Sequence, residues 1–141
     1  MRFKDKQAIS TGSIDPIKIL LGLAVGIFLA ALDQTVMATA SPTIASSFNQ
    51  LSSQAWLLTA YLVPSLITTP IYGRLSDGFG RRPLFLTALI LFLAGSLIAI
   101  FSPNFSTLLF GRIVQGLGAG GLFSLAFAVI ADILPPRERS K

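Results

Sequence analysis

Four long apolar runs, separated by short polar segments, dominate the hydrophobic pattern of this 141-residue chain. The runs cover about residues 17–40, 55–72, 83–101 and 106–134. A helix needs about 20 predominantly apolar residues to cross the hydrocarbon layer of a membrane, and each run comes close to that length or exceeds it. The pattern therefore predicts an all-α integral membrane fold with four transmembrane helices.

The polar segments between the runs differ in charge. Residues 1–16, 73–83 and 135–141 carry a basic excess, whereas residues 41–54 and 102–105 carry no charge. Because short cytoplasmic segments of membrane proteins are enriched in Lys and Arg, the basic segments are expected on the cytoplasmic side of the cell membrane. Residues 1–16 are then a cytoplasmic tail, and both ends of the chain face the cytoplasm.

A secretory signal peptide is the alternative interpretation of the first run. A basic tail precedes it, and Ala38-Thr39-Ala40 resembles a cleavage site. However, a signal core has about 7–15 apolar residues, so this run is too long, and it contains the acidic residue Asp33. A first transmembrane span is the better interpretation.

Composition supports a membrane protein and excludes several kinds of site. Hydrophobic residues make up 52% of the chain and charged residues only 12%. Without any cysteine or histidine, the chain has no disulfide, no thiol nucleophile and no Cys/His metal site. The net charge of +5 lies at the edges of the apolar runs, which argues against nucleic acid as a partner. Neither an enzyme active site nor a cofactor is expected.

Asp33 is an acidic residue inside the first span. It shares one helical face with Gly22, Gly26 and Ala30, which precede it at intervals of four and three residues. Glycines at this spacing allow close helix packing, so the carboxyl is expected to point into protein. A charged residue within a span indicates a functional site, although an acid used only for helix packing remains the alternative.

Arg112 in the fourth span shows the same arrangement. Gln115, Gly116 and Gly120 follow it on one helical face, and Asp33 and Arg112 are expected at similar depths, where they could pair or share a cavity. The alternative is an arginine whose side chain reaches the headgroup region. The third span has no ionisable group and is expected to be a supporting, lipid-facing helix, with Gly95-Ser96 as its only small-residue contact.

A second polar group is expected at the cytoplasmic edge of the membrane. It consists of Asp77, Arg81 and Arg82 in the segment 73–83, together with Asp132 near the end of the fourth span. Exposed ion pairs contribute only ~0–1 kcal/mol, so a role in stabilising one of two helix arrangements is favoured over a role in stability. A hydrated turn that only sets the topology is the alternative.

Three motifs resemble those of the major facilitator superfamily. Gly73-Arg74-Leu75-Ser76-Asp77 with Gly80-Arg81-Arg82 is similar to its signature loop between helices two and three, although Gly78 departs from the usual Lys or Arg. Leu32-Asp33-Gln34-Thr35-Val36 resembles the first-helix motif of its 14-span drug:proton antiporter branch. The stretch from Arg112 to Gly118 resembles the fourth-helix motif.

The resemblance implies the start of an N-terminal transporter bundle that exports drugs or other small amphipathic solutes against a proton gradient. Its implied partners are a small-molecule substrate, protons, the lipid bilayer and the missing C-terminal helices of the same transporter. Proton or substrate coupling is assigned to Asp33, Arg112 and Gln115. The residues implied for a conformational gate are Gly73, Arg74, Asp77, Gly80, Arg81, Arg82 and Asp132. The alternative is a non-transporting four-helix membrane protein.

Overall fold

The computed structural model describes the backbone of residues 16–133 and the side chains of residues 21–129. This part of the chain forms four α-helices and contains no strand. The helices are α1 (Pro16–Ser47), α2 (Ala55–Phe79), α3 (Arg81–Ile100) and α4 (Phe105–Ile133), and a single 3-10 turn, Leu51–Ser53, precedes α2. Each helix contains a stretch long and apolar enough to span a membrane. The all-α membrane fold predicted from the apolar runs is confirmed.

Helix α4 is the most buried of the four and forms the centre of the bundle. It packs extensively against α3 on one side and α2 on the other, while α1 packs on the bundle less extensively. The main apolar core joins Leu122 and Leu125 of α4 to Ala88 of α3 and Ala30 of α1. A second apolar cluster lies at the end of the bundle that contains the turn at Asn49, which we call the Asn49 end.

Glycines explain why α4 can contact two helices so closely. A Cβ atom at Gly111 would lie 2.8 Å from the backbone nitrogen of Ala99 in α3, and one at Gly118 would collide with the backbone at Phe92. On the other side, a Cβ at Gly116 would collide with the carbonyl oxygen of Tyr61 in α2. In a membrane, where lipid is as apolar as the side chains, such close backbone contact is a main source of helix association.

Helix α1 is longer than its apolar run predicts. The run was expected to end near residue 40 and to be followed by a loop over 41–54, but the helix continues through Pro42 to Ser47. Ser41 and Ala45 are buried one turn apart on this extension, and Ala45 packs with Leu57 and Leu108. Packing of this face extends the helix in a segment whose serine-rich composition indicates a loop.

Helix α2 also extends beyond its predicted end at residue 72. Most of the segment 73–83, predicted as a turn, is helical, because α2 continues to Phe79 and α3 begins at Arg81. The helix remains packed along this extension, where Tyr72 and Ser76 are buried one turn apart. Only Gly80 separates the two helices, with a φ of 85° that favours glycine. We call this the Gly80 end of the bundle.

The other boundaries lie within two residues of those predicted. Helix α3 starts at Arg81 with Pro83 in its first turn. Backbone N–H groups there have no partner within the helix, so the N–H that proline lacks costs no hydrogen bond. Helix α4 starts at Phe105, just after Asn104, whose side-chain oxygen accepts a hydrogen bond from the backbone N–H of Thr107 at 2.8 Å. This contact satisfies one of the free N–H groups at the start of the helix.

Candidate functional site

Asp33 and Arg112 form an ion pair that joins α1 to α4. The distance between Arg112 Nη1 and Asp33 Oδ2 is 2.6 Å. The Arg112 side chain is completely buried, whereas the Asp33 side chain keeps 21% of its surface exposed. Asp33 follows the buried positions Gly26 and Ala30 along the face of α1 that packs against the bundle. The structure therefore brings together the two charged residues that the sequence places inside spans.

The guanidinium of Arg112 has three further partners besides the carboxylate. Its Nη1 atom also donates to Gln115 Oε1 at 2.6 Å, and its Nε atom makes a long contact of 3.4 Å to the carbonyl oxygen of Leu57. Its central carbon lies 4.6 Å from the centre of the Tyr61 ring, where the face of the ring attracts a cation. Arg112 is thus held by α2 as well as by α1.

Gln115 connects both members of the ion pair to a third helix. Its Nε2 atom donates to Asp33 Oδ1 at 2.8 Å and to Ser96 Oγ of α3 at 3.0 Å. Gln115 is only 2% exposed, so its amide makes these bonds from a buried position. We call the set Asp33, Arg112, Gln115 and Ser96 the α1–α4 polar network.

A cavity of about 440 Å³ borders this network on the side of the Asn49 end. Asp33, Gln115 and Ser96 form part of its wall, and most of the rest is apolar, including Met37 and Leu108. Cavities of roughly 300–1,000 Å³ with apolar walls and a few polar groups are typical of small-molecule sites. Arg112 does not line the cavity, so the carboxylate is the charged group that faces it.

This arrangement makes the two charges depend on each other. Removing one partner of a buried ion pair typically costs about 3–5 kcal/mol, because the remaining charge stays buried and uncompensated. A proton or a cation that reaches Asp33 from the cavity competes with Arg112 for the carboxylate. The ion pair that joins α1 to α4 therefore borders the cavity through its carboxylate.

Comparison with protein families identifies the chain. The model of the Major Facilitator Superfamily matches residues 23–141, which include the network, most of α1 and all of α2, α3 and α4. The chain belongs to the major facilitator superfamily. Its members are transporters and not enzymes, and the four apolar helices agree with the helical bundle that begins such proteins.

Curated relatives of this superfamily member carry names of transporters. An MFS-type transporter of Aspergillus terreus is 41% identical over 87% of this chain and 22% of its own length. Multidrug resistance protein 3 of Bacillus subtilis is 39% identical over 87% of this chain and 24% of its own length. Efflux pump dotC of Dothistroma septosporum is 41% identical over 85% and 20%, respectively. The chain thus spans about a fifth to a quarter of these relatives, and no solved structure gives a significant match.

The residues assigned to a gate in this superfamily member lie at the Gly80 end. Arg81 Nη1 donates to the carbonyl oxygen of Ala128 in α4 at 2.5 Å, which ties the start of α3 to α4. Arg74, Asp77 and Arg82 are exposed, and a Cβ at Gly73 would lie 3.4 Å from Ser124 Oγ of α4. The side chain of Asp132 lies outside the described residues.

The glycines assigned to helix packing behave differently from one another. A Cβ at Gly26 would meet Phe85 of α3 at 3.2 Å, and one at Gly116 or Gly120 would collide with α2. At Gly22, by contrast, a Cβ would meet no atom of the described residues within 4 Å. Close packing at Gly22 therefore stays a prediction, while the other three positions lie at helix contacts.

Sequence reasoning missed Ser96, Tyr61 and Leu57 as members of the site. The expectation that α3 only supports the bundle from the lipid side is wrong at Ser96, which bonds directly to Gln115. The sequence does predict Gly95-Ser96 as the small-residue contact of this helix, and a Cβ at Gly95 would lie 2.7 Å from the Gln115 Cα, but it does not predict the hydrogen bond of Ser96. Tyr61 and Leu57 gave no such signal, since Leu57 contributes only a backbone carbonyl.

Proposed function

We propose that this chain forms the first four spans of a proton-coupled exporter of drugs or other small amphipathic solutes, of the 14-span drug:proton antiporter branch. The observation that carries the proposal is the ion pair of Asp33 and Arg112, whose carboxylate faces a cavity of about 440 Å³. The names of the relatives, among them a multidrug resistance protein and an efflux pump, support the substrate class.

Competition for Asp33 supplies a mechanism of coupling. The carboxylate of Asp33 attracts Arg112 or a cationic solute. Protonation neutralises the carboxylate and so removes that attraction. A proton that enters on one side of the membrane can then drive release of a solute that bound from the other side, provided that the two access states differ in their affinity for each. Asp33, Arg112 and Gln115 are the coupling residues in this scheme.

The proposal includes an orientation and further partners. Basic residues lie in the tail of residues 1–16 and around Gly80, so these segments and residues 135–141 are placed in the cytoplasm of a cell-membrane protein. The substrate, protons and the lipid bilayer are the proposed partners. The exposed apolar side chains of α1 in this bundle, such as Phe28, are assigned to contacts with lipid or with the C-terminal helices of the same transporter.

Uphill transport in proteoliposomes tests the function. Vesicles that contain the complete transporter should move a fluorescent amphipathic cation against its own gradient when an imposed proton gradient drives protons across the membrane in the other direction. The reason is that the cation and the proton compete for the carboxylate of Asp33. Collapse of the gradient by a protonophore should stop the movement. Equal fluxes with and without the proton gradient would overturn proton coupling. If none of the amphipathic solutes tested were transported, the proposed transport function itself would be overturned.

Thiol labelling of the 141-residue chain tests the proposed orientation, since this chain contains no cysteine. Gly78→Cys and Ser52→Cys introduce thiols at exposed positions at opposite ends of the bundle. An impermeant maleimide added to intact cells should label the cysteine at position 52 and leave the one at position 78 unmodified. The reverse labelling pattern would mean that the proposed orientation is inverted.

The Gly80 end is proposed to act as the conformational gate. The gate residues lie in α2, α3 and α4 or between α2 and α3, close to the proposed membrane edge: Gly73, Arg74, Asp77, Gly80, Arg81, Arg82 and Asp132. The contact between Arg81 and the Ala128 carbonyl supports this role, because it makes the start of α3 move together with α4. Its loss would favour other arrangements of the helices.

Arg81→Ala is therefore expected to slow exchange between the two access states without preventing insertion, because the state that this bond stabilises becomes less populated and is visited less often. A hydrogen bond to a charged group contributes about 1.5–3 kcal/mol, which corresponds to roughly a 10- to 100-fold change in a two-state equilibrium. Arg82→Ala removes the same charge from the exposed neighbouring position and should have a smaller effect. Counterflow rates at equal protein levels measure this difference, and equal rates for wild type and Arg81→Ala would remove the gate assignment.

A further inference from the structure

The orientation of the Gln115 amide follows from the atoms around it. Arg112 offers only hydrogen-bond donors, so the atom that faces its Nη1 at 2.6 Å must be the amide oxygen Oε1. The Nε2 atom then presents its two hydrogens to Asp33 Oδ1 and Ser96 Oγ. Ser96 can accept one of them because its own hydrogen is donated to the Phe92 carbonyl at 3.0 Å.

The two oxygens of Asp33 consequently have different surroundings. Oδ2 lies 2.6 Å from the cation Arg112, and Oδ1 lies 2.8 Å from the neutral amide of Gln115. The other titratable side chain that faces the pair is Tyr61 of α2. Within its described residues, α3 has charged side chains only at Arg81 and Arg82 in its first turn, so its contribution near Asp33 is the neutral hydroxyl of Ser96.

A neutral carboxyl group keeps one carbonyl oxygen and gains one hydroxyl. The carbonyl oxygen remains a good acceptor for an amide N–H, whereas the hydroxyl oxygen binds a guanidinium much less strongly than a carboxylate does. Arg112 can leave Oδ2 and still retain the Gln115 oxygen and the Tyr61 ring. Gln115 cannot leave Oδ1 without leaving a buried amide hydrogen unbonded, because Ser96 holds the amide in place.

We propose that Ser96 is a positioning residue that, through Gln115, makes Oδ2 the oxygen of Asp33 that takes the proton. A hydronium ion in the cavity that Asp33 lines donates the proton, which forms an O–H bond at Oδ2; the hydronium becomes water, and the negative charge of the carboxylate is neutralised. Arg112 is then released from Asp33 while Gln115 stays bonded to Oδ1. The proposal rests on the proposed function, since it assumes that Asp33 is protonated during transport.

The consequence is a selective switch between helices. Protonation removes the ionic contact between α1 and α4 but keeps the amide contact that links α1, α4 and α3. Helix α1 packs less extensively on the bundle than α2 and α3 do, and the ionic contact is one of its links to α4. Ser96 therefore decides which of the two contacts responds to the proton.

Infrared difference spectroscopy between low and high pH tests the proposal on the 141-residue chain in lipid nanodiscs. The carbonyl band of protonated Asp33, identified by its loss in Asp33→Asn, should lie at the lower wavenumber typical of a carbonyl that accepts a hydrogen bond. Ser96→Val removes the hydroxyl and should move the band to higher wavenumber. Ser96→Thr has nearly the same shape as the valine but keeps the hydroxyl, and it should restore the wild-type position.

A matched control comes from the same helix. Thr87 Oγ1 donates to the Pro83 carbonyl on the exposed side of α3, away from the network, so Thr87→Val should leave the band unchanged. An Asp33 band that is the same in wild type and Ser96→Val would overturn the positioning role and leave the proposed function intact. The absence of any Asp33 band between low and high pH would instead overturn the proposed protonation of Asp33, and the positioning role with it.

Discussion

Replacement of Asp33 by asparagine is expected to abolish proton-driven uphill export by the complete transporter while leaving membrane insertion intact. Asparagine has the size of aspartate but cannot take up or release a proton. It also leaves the buried guanidinium of Arg112 without its 2.6 Å anionic partner, and loss of one partner of a buried pair typically costs about 3–5 kcal/mol. The arrangement in which α1 is bound to α4 should therefore be disfavoured at every pH.

Two measurements separate a coupling defect from a folding defect in Asp33→Asn. Counterflow of a labelled solute needs no net proton movement, so it should persist when uphill transport is lost. Asp33→Glu keeps a titratable carboxyl on a longer side chain and should retain part of the uphill transport. Uphill transport by Asp33→Asn at the wild-type rate would rule out Asp33 as the coupling group and restore the interpretation of a helix-packing acid.

Gly116→Ala is expected to destabilise the bundle by about 1–3 kcal/mol, the usual range for adding volume to a well-packed interior. The added methyl group would collide with the backbone carbonyl of Tyr61, and a backbone atom cannot move aside by changing a rotamer. Helices α2 and α4 must therefore separate, which disturbs the contact of Arg112 with the Tyr61 ring. Insertion should be unaffected, because alanine is as compatible with lipid as glycine.

Gly22→Ala is the matched control for this substitution. A Cβ at Gly22 would meet no described atom within 4 Å, so the only expected effect is the gain in helix propensity of about 0.5–1 kcal/mol. Thermal unfolding in detergent, followed by tryptophan fluorescence of Trp56, should show a lower midpoint for Gly116→Ala and an equal or higher one for Gly22→Ala. A midpoint for Gly116→Ala equal to that of wild type would mean that α2 and α4 are less closely packed than described.

Much of the fold was predictable because a membrane imposes a simple rule on the sequence. Spans need long apolar runs, and charged segments such as that around Arg81 must lie outside them, so the number and order of the helices could be deduced. The C-terminal ends of α1 and α2 could not be deduced, because hydrophobicity indicates which residues lie in lipid and not which residues are helical. The segment 41–47 is polar enough for a loop, yet Ala45 packs against Leu57 and Leu108 and keeps it helical.

The candidate site divides in the same way. The sequence by itself determined that Asp33 and Arg112 lie on small-residue faces within spans, because a charge in hydrocarbon must turn towards protein and helical periodicity defines the face. Only the tertiary structure decided that the two meet at 2.6 Å, that Gln115 joins them, and that Ser96 of α3 completes the network. Hydrogen bonds depend on differences of a few tenths of an ångström between helices. Those distances are short because glycines such as Gly95 and Gly116 have no Cβ atom to collide with the neighbouring helix. Periodicity along a single helix does not reveal how closely two helices approach.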